Sequence, residues 1–258
     1  MAGEICHLEG VISHDLMSIH QFIPNGVSLQ ITLHPNKADF CLMSKKSNRY
    51  AFEIHDIVLK VQFIEPSPSL LLGHAEAFKK SPAVFPFVKS MLKSFTIPKG
   101  VQNWSIDTLF ANSIPDSLII GLISTEAYVG KSTLNPFNFH HFDLTNLSFY
   151  IEGFPLNTAV YKPNCSKRQY PSEYLSLFEG RDHDSDLISY QDYRLGYTIY
   201  KINISDGVQR NYIGLMRQGQ TRLQFTFKSP LPSTVTAICY GRTASILQID
   251  AAKNILLT

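Results

Sequence analysis

The chain has 258 residues and a mass of 29.1 kDa, enough for one large all-β domain or two smaller units. Its net charge of +2 is too small to indicate nucleic acid as the main ligand. Charged residues make up 17% of the sequence, below the usual fraction of about 25%, which suits a protein that packs against copies of itself.

The cysteines and the first ten residues indicate the cellular compartment of the protein. Cys6, Cys41, Cys165 and Cys239 are widely scattered and form no Cys-x-x-Cys pair, which indicates reduced thiols in an intracellular protein. The first ten residues lack a basic start and an apolar run, so we expect no signal peptide. The sequence has no apolar run of about 18 residues, so it predicts no membrane span.

The N-terminal quarter contains three stretches in which apolar and polar residues alternate. They cover 27–33, 50–54 and 57–63, and the apolar positions change parity around His55 and Asp56. Because successive side chains of a strand point to opposite faces, this period of two predicts three β-strands. The change of parity predicts a bulge or bend between the second strand and the third.

A short helix is predicted after these strands. Ser67 is a candidate N-cap, Pro68 suits the first helical position, and Lys79 and Lys80 complement the helix dipole at the far end. Pro82 prevents continuation. The sequence therefore predicts a helical connector over 67–81, with a domain boundary near Ser81.

The rest of the chain reads as strands with short helices between them. We predict strands over 87–97, 118–124, 147–152, 197–204, 222–228, 234–240 and 246–249, the last two separated by a break at 241–243. We predict short helices over 174–178 and 190–195, the second with Ser189 and Asp192 at capping-box spacing. This pattern favours an all-β fold, an antiparallel sandwich or jelly roll with few short helices.

Residues 130–133, Gly-Lys-Ser-Thr, end like a phosphate-binding loop. That loop needs a glycine five residues before Gly130, where this sequence has Thr125. No helical pattern follows, because Asn135 and Pro136 interrupt it. We interpret the stretch as an ordinary loop.

Two further stretches raise the question of a metal. The acidic run 181–186 lacks the calcium-loop pattern and is interpreted as a solvated surface loop. His140 and His141 lie near Asp143, but neighbouring side chains of a strand point to opposite faces and cannot reach one ion. The sequence predicts no metal site.

Neither a catalytic nor a cofactor-binding residue is predicted. No Gly-x-Ser-x-Gly elbow supports a hydrolase triad. The basic residues at 45–46, 162 and 167–168 lack interleaved aromatic residues, so they are interpreted as solvated side chains. Trp104 is interpreted as a core or interface residue. We therefore expect no enzyme activity, cofactor or small-molecule substrate, and no partner among membranes or specific nucleic-acid sequences.

Six short stretches, in this order and spacing, together resemble a known family. They are Phe-Cys-Leu-Met at 40–43, Phe-Thr-Ile-Pro at 95–98, Asn-Pro-Phe-Asn-Phe at 135–139, Tyr-Leu-Ser-Leu-Phe at 174–178, Gly-Tyr-Thr at 196–198 and Arg-Gln-Gly at 217–219. The resemblance is to the major capsid (hexon-like) protein of Polinton, or Maverick, elements and the related adintoviruses, which are mobile elements integrated in animal genomes. The resemblance extends from about Gly10 to the end of the chain.

The resemblance implies a double jelly roll, three chains of which form a capsomer. It implies a structural protein of the virion, self-associating as a homotrimer that contacts neighbouring capsomers, or an intracellular protein where no capsid assembles. On this reading, 1–66 are the closing strands of a truncated first jelly roll, 67–81 the connector and 82–258 a complete second jelly roll. Residues 157–186 are expected to form the inter-subunit surface.

Two other classes stay open on the sequence alone. One is a β-sandwich binding module, lectin-like or cytokine-like, which would need exposed aromatic residues around a pocket. The other is a jelly-roll enzyme of the cupin kind, which needs histidine and carboxylate metal ligands on facing strands; the sequence has no His-x-His followed by a carboxylate.

Overall fold

The computed structural model describes residues 5–19, 21–45, 50–111, 113–179, 188–204 and 218–257. The chain divides into two compact units. The larger unit comprises Asn36–Arg49 and Ser90–Thr243, and the smaller comprises Met1–Pro35, Tyr50–Lys89 and Ala244–Thr258.

The described residues contain nine β-strands and five short α-helices. The strands are β1 Ala83–Ile97, β2 Asn103–Ile106, β3 Ser117–Ser124, β4 Leu144–Ile151, β5 Phe154–Tyr161, β6 Ile199–Asn203, β7 Thr221–Phe227, β8 Val235–Ile249 and β9 Ile255–Leu257. The helices are α1 Ala38–Cys41, α2 Pro68–Lys80, α3 Thr125–Val129, α4 Pro171–Ser176 and α5 Tyr190–Tyr193.

Eight of these strands form two sheets with the strand order of a jelly roll. One sheet has the order β1-β8-β3-β6, with β9 added beside β8, and the other has the order β2-β7-β4-β5. All the strand pairs with a resolved register are antiparallel. The first, eighth, third and sixth strands thus share a sheet, as the paired Greek keys of a jelly roll require. The predicted all-β fold class is confirmed.

The inner faces of the two sheets form the core of the larger unit. Leu118, Ile120 and Leu122 of β3 point inward and are fully buried. The alternating apolar residues of β7 do the same; they are Leu223, Phe225 and Phe227. Burying each of these side chains stabilises the fold by about 1.5–3 kcal/mol. The period of two seen in the sequence of β7 is therefore a true inward and outward alternation.

The three strands predicted over 27–33, 50–54 and 57–63 are wrong. No β-strand precedes Ala83 in the part of the chain that the structure describes. Leu29, Ile31 and Leu33 are exposed, and Phe63 is 89% exposed. Alternation provides an apolar face, but a strand also needs a neighbour for its N–H and C=O groups, and no described strand pairs with these segments.

The break predicted at 241–243 is also wrong, because β8 runs without interruption from Val235 to Ile249. A Cβ on Gly241 would lie 2.8 Å from the Phe110 ring and 3.3 Å from Pro115. The glycine is therefore explained by the close approach of these side chains to the strand, a regular use of glycine inside sheets.

Of the strands and α-helices, five were not predicted from the sequence: β2, β5, β9, α1 and α3. β5 contains Pro155, which removes one backbone donor, but β5 is an edge strand and tolerates that loss. β2 has only four residues. α3 begins after Ser124, whose side chain accepts a hydrogen bond from the N–H of Ala127.

The predicted helix over 67–81 is confirmed as α2, with Ser67 at the N-cap and Pro68 in the first turn. Lys79 and Lys80 occupy its last turn, as predicted. None of the helices described is long and apolar enough to cross a membrane.

The smaller unit has its own small core. Phe85, Leu247 and Ile249 are buried there, and Leu16 and Val27 are among the partly buried side chains that pack on them. This cluster covers only a small part of the apolar residues in the unit, so the remainder stay exposed.

Candidate functional site

The connection between β5 and β6 is the candidate functional site, since the sequence predicts an inter-subunit surface over 157–186. The structure assigns residues 157–161 of this stretch to β5, and residues 180–186 lie outside the described residues. The connection itself is described over 162–179 and 188–198.

Local sequence signals explain the three helical turns of the connection. Asn164 caps the 3₁₀ turn Cys165–Lys167, which ends at Arg168 with a left-handed φ of 58°. Pro171 opens α4, which begins three residues and ends two residues earlier than predicted. Ser189 caps α5, because its side chain accepts from the N–H of Asp192 at 3.1 Å and its hydroxyl donates to the Asp192 carboxylate at 2.7 Å. The predicted N-cap is confirmed.

Four tyrosines form the centre of the connection. The rings of Tyr170 and Tyr190 stack with centroids 4.5 Å apart, and Tyr193 lies 5.3 Å from Tyr170. Tyr174 meets Tyr190 edge to face at 5.2 Å. Offset and edge-to-face pairs of this kind add about 0.5–1.5 kcal/mol each beyond their buried area. The cluster therefore acts as a small separate core under the loop.

The tyrosine hydroxyls bind backbone carbonyls. Tyr170 donates to the carbonyl of Tyr190 at 3.0 Å, and Tyr190 donates to that of Arg168 at 2.8 Å. Tyr174 donates to the carbonyl of Ile188 at 2.8 Å, and Tyr193 to that of Ile199 in β6 at 2.9 Å. These bonds fix the two halves of the connection to each other and to the sheet.

Besides the tyrosines, the buried ionisable groups described in this connection are Glu173 and Cys165. Burial raises the pKa of Glu173, against the effect of the backbone N–H groups of Glu173 and Lys162. Burial also raises the pKa of Cys165 to about 12, so the thiol is neutral at pH 7 and a poor nucleophile. The hydroxyl of Tyr200 is buried and has no hydrogen-bond partner among the described residues. This geometry indicates a structural cluster rather than a reactive centre.

The connection presents apolar side chains outward. Leu175 of α4 is 61% exposed, and Leu195 and Tyr197 are also exposed. A rigid loop with exposed apolar side chains is suited to contact with another protein surface.

The Gly-Lys-Ser-Thr stretch is an ordinary loop, as interpreted from the sequence. Gly130, with a φ of 98°, ends α3, so residues 131–133 follow the C-terminus of a helix. A phosphate-binding loop needs the opposite polarity, with backbone N–H groups at a helix N-terminus. Lys131 instead binds the carboxylate of Glu126 at 2.6 Å.

His141 and Asp143 lie in a tight turn. The N–H of Asp143 donates to Nδ1 of His141 at 2.9 Å, and both Phe142 and Asp143 have positive φ. Burial lowers the pKa of His141, while Asp143 opposes that shift. His140 packs edge to face on Phe142. In the described part of the chain, no three histidine, cysteine, aspartate or glutamate side chains are grouped to hold a metal ion.

The tryptophan, the basic residues and the cysteines that the sequence singles out lie in different parts of the chain. Trp104 of β2 is partly buried against the main core, which agrees with its interpretation as a core residue. Lys162, Lys167 and Arg168 are exposed, while Lys46 and the acidic run 181–186 lie outside the described residues. The four cysteines are free, and burial raises the pKa of Cys239 to about 12.

Comparison with known proteins gives one curated relative. No family model matches the chain. The chain is 25% identical over 259 residues to uncharacterized protein F54H12.2 of Caenorhabditis elegans, and the match covers 94% of this chain and 61% of the relative. The chain therefore spans less than two thirds of that relative's length.

The similar solved structures come from viruses and virophages. A chain of the Sputnik virophage matches with a TM-score of 0.46 and 12% identity, covering 69% of this chain and 39% of that one. The mavirus major capsid protein matches with a TM-score of 0.41 and 7% identity, over 69% and 41%. The PBCV-1 virus capsid matches with a TM-score of 0.38 and 10% identity, over 69% and 51%. The jelly-roll architecture of this chain rests on its own strand order.

Proposed function

We propose that this chain is a capsid-type structural protein that acts through self-association and not through catalysis. The observation that carries the proposal is the strand order β1-β8-β3-β6 and β2-β7-β4-β5. That order is the jelly roll, which occurs in viral capsids, lectins and cupins.

The distribution of apolar residues supports the capsid alternative among these three. Most of the exposed large hydrophobic side chains belong to the smaller unit, including Ile57, Val58, Leu59 and Val61 in one short stretch. Monomeric proteins rarely leave so many apolar side chains in contact with water. A protein whose working state is an assembly covers them with another subunit.

The finer reading follows the family resemblance. The chain derives from an element of the Polinton or adintovirus type, forms homotrimeric capsomers that contact their neighbours, and resides in the virion when it assembles. Residues 1–66 belong to a first jelly roll, 67–81 form the connector and 82–258 form the second jelly roll. The helix Pro68–Lys80 and the start of the strands at Ala83 support a boundary near Ser81. The two compact units divide the chain at other points, with 36–49 in the larger unit and 244–258 in the smaller.

The test is the solution mass of the purified 258-residue chain, measured by light scattering on a sizing column over a tenfold range of concentration. The proposal predicts a discrete species of three chains, three times 29.1 kDa, or a multiple of three. A monomer at every concentration would contradict the proposal and favour a sandwich that acts as a binding module.

A further inference from the structure

Residues 36–45 are a short segment of the N-terminal quarter that belongs to the larger unit. The stretches before and after it, up to Pro35 and from Tyr50, belong to the smaller unit. The helix α1 within the segment is a single turn, and none of its residues is buried. The larger unit thus includes a short piece of a region that has no described β-strand.

The segment docks beside the C-terminus of α3. Gly130, which ends α3 with a φ of 98°, lies so close that a Cβ on it would be 3.2 Å from the backbone nitrogen of Phe40. The rings of Phe40 and Phe137 meet edge to face, with centroids 5.9 Å apart. The N–H of Ser44 donates to the carbonyl of Ser132 at 2.7 Å. We call the surface formed by Gly130, Ser132 and Phe137 the α3 site.

The sandwich holds the α3 site in place. The hydroxyls of Thr125 in α3 and Thr236 in β8 are hydrogen-bonded at 3.0 Å. The hydroxyl of Tyr128 donates to that of Ser94 in β1 at 3.0 Å, and Ala127 is buried. The α3 site is therefore a fixed surface, and the segment that occupies it is the less firmly supported partner.

The contact between the segment and the α3 site is small. Alternate side chains of the segment are half-buried, namely Ala38, Phe40, Leu42 and Ser44, and the residues between them are exposed. The contact consists chiefly of one aromatic pair and one backbone hydrogen bond, which contribute about 0.5–1.5 kcal/mol each. The segment can therefore leave the site and return to it without unfolding of the sandwich.

The same contacts are available to the segment of a neighbouring chain. Residues 27–33 and 50–63, on either side of the segment, pair with no described strand, so the segment can move without breaking a ladder. Exchange of an identical element between two copies costs little, because each copy regains the contacts that it loses. Phe137 is 66% exposed and Met43 is also exposed, which places the contact at a surface that another copy can reach.

The chemistry of the α3 site specifies its occupant. Gly130 allows another backbone to approach closely, Phe137 offers an aromatic edge contact, and Ser132 offers a carbonyl acceptor. These three features need an aromatic residue followed, four residues later, by a backbone N–H donor. Phe40 and Ser44 have this spacing, so the segment of any copy of this chain fits.

We propose that the α3 site binds residues 36–45 of a second copy of this chain in exchange for the same residues of its own chain, so that the segment links neighbouring subunits. This inference rests on the proposed self-association and deepens it, because it names a contact through which two copies join.

The experiment traps the exchange as a disulfide between two full-length chains that differ in mass by a tag. Both carry Cys6→Ser and Cys41→Ser, which removes the exposed native thiols, while the other two cysteines are buried. One chain carries Ser44→Cys in the segment, and the other carries Ser132→Cys in the α3 site. Neither chain can form this disulfide alone, so a heterodimer formed in oxidised glutathione reports docking between chains.

Ser166→Cys, at an exposed position outside the α3 site, replaces Ser132→Cys as the control for random collision. We expect about tenfold more heterodimer with Ser132→Cys, because docking raises the effective concentration of the two thiols. Phe40→Ala should act in opposite directions. In the chain with Ser44→Cys it lowers the yield by up to about tenfold, since the segment loses its aromatic contact. In the chain with Ser132→Cys it raises the yield, since the competing segment is weakened.

Circular dichroism melting checks that each variant keeps the fold. Equal yields with Ser132→Cys and Ser166→Cys overturn the inference, as does a Phe40→Ala effect that is absent or has the same sign in both chains. If light scattering shows that the chain nevertheless associates, the proposed function stands. A chain that is monomeric at every concentration and gives no selective heterodimer contradicts both.

Discussion

The sandwich strands and the N-terminal stretch have the same kind of sequence pattern but different structures. Phe225 of β7 and Phe52 each lie in a run where apolar and polar residues alternate. Phe225 is fully buried between two sheets, while Phe52 is 41% exposed in a segment without strand pairing. The comparison shows that a period of two is necessary for a two-faced strand, but that the strand forms only where neighbouring strands pair with it.

The largest expected effect comes from deleting one aromatic ring in each region. Phe225→Ala removes a buried ring that stacks near Phe227 and should lower the free energy of unfolding by about 3–5 kcal/mol. Phe52→Ala should change it by less than about 0.5 kcal/mol, since the side chain is exposed. Urea unfolding followed by circular dichroism measures both values. Equal losses for the two variants would show that the N-terminal stretch is packed as firmly as the sandwich.

An intermediate effect is expected from the same substitution at two glycines. Gly241→Ala places a Cβ 2.8 Å from the Phe110 ring and should destabilise the sandwich by about 1–3 kcal/mol. Gly73→Ala in α2, where no atom lies within 4 Å of the added Cβ, should be neutral or stabilise by up to about 1 kcal/mol. Thermal and urea unfolding measure whether each substitution lowers or raises the free energy of unfolding. A harmless Gly241→Ala would remove the packing explanation for an unbroken β8.

The smallest effect expected is a pH dependence from Glu173. Burial raises the pKa of its carboxyl above the ordinary 4.5, so between 4.5 and the folded value the native state binds more protons than the unfolded state. The contribution of Glu173 to stability is therefore greatest below pH 4.5 and decreases as pH rises through the folded pKa. Unfolding in urea at a series of pH values measures this slope.

Glu173→Gln should flatten that slope, because the amide does not titrate. Glu126→Gln is the control, since Glu126 is exposed and its pKa is lowered by Lys131, so its contribution has the opposite sign. An unchanged pH profile in Glu173→Gln would mean that the buried carboxyl does not govern the stability of the connection.

Much of the sandwich could be predicted from the sequence where local patterns and tertiary packing agree. The alternation around Phe225 located β7, and Ser67 with Pro68 located the start of α2. The sequence failed where a distant side chain decides the local structure. Gly241 looks like a strand break, and only the ring of Phe110 on the strand explains it. Pro155 looks incompatible with a strand until the edge position of β5 is known.

The candidate site could be predicted only as a region. The inter-subunit surface over 157–186 stays a prediction, while the capping residue Ser189 correctly marked the start of α5. The tyrosine cluster was not predicted, because its hydroxyls bind backbone carbonyls as far apart as Tyr170 and Tyr190. No spacing rule relates a tyrosine to a carbonyl 20 residues away, so this network is visible only in the folded chain.

Amide hydrogen exchange of the monomeric fraction tests the central contrast most directly. The account predicts strong protection for β3 and β7, whose amides are paired between neighbouring strands. It predicts rapid exchange for residues 27–33 and 50–63, which have no strand pairing in the described chain. Protection of those segments equal to that of β7 in a monomer would contradict the account, because it would show that they are paired strands without any partner chain.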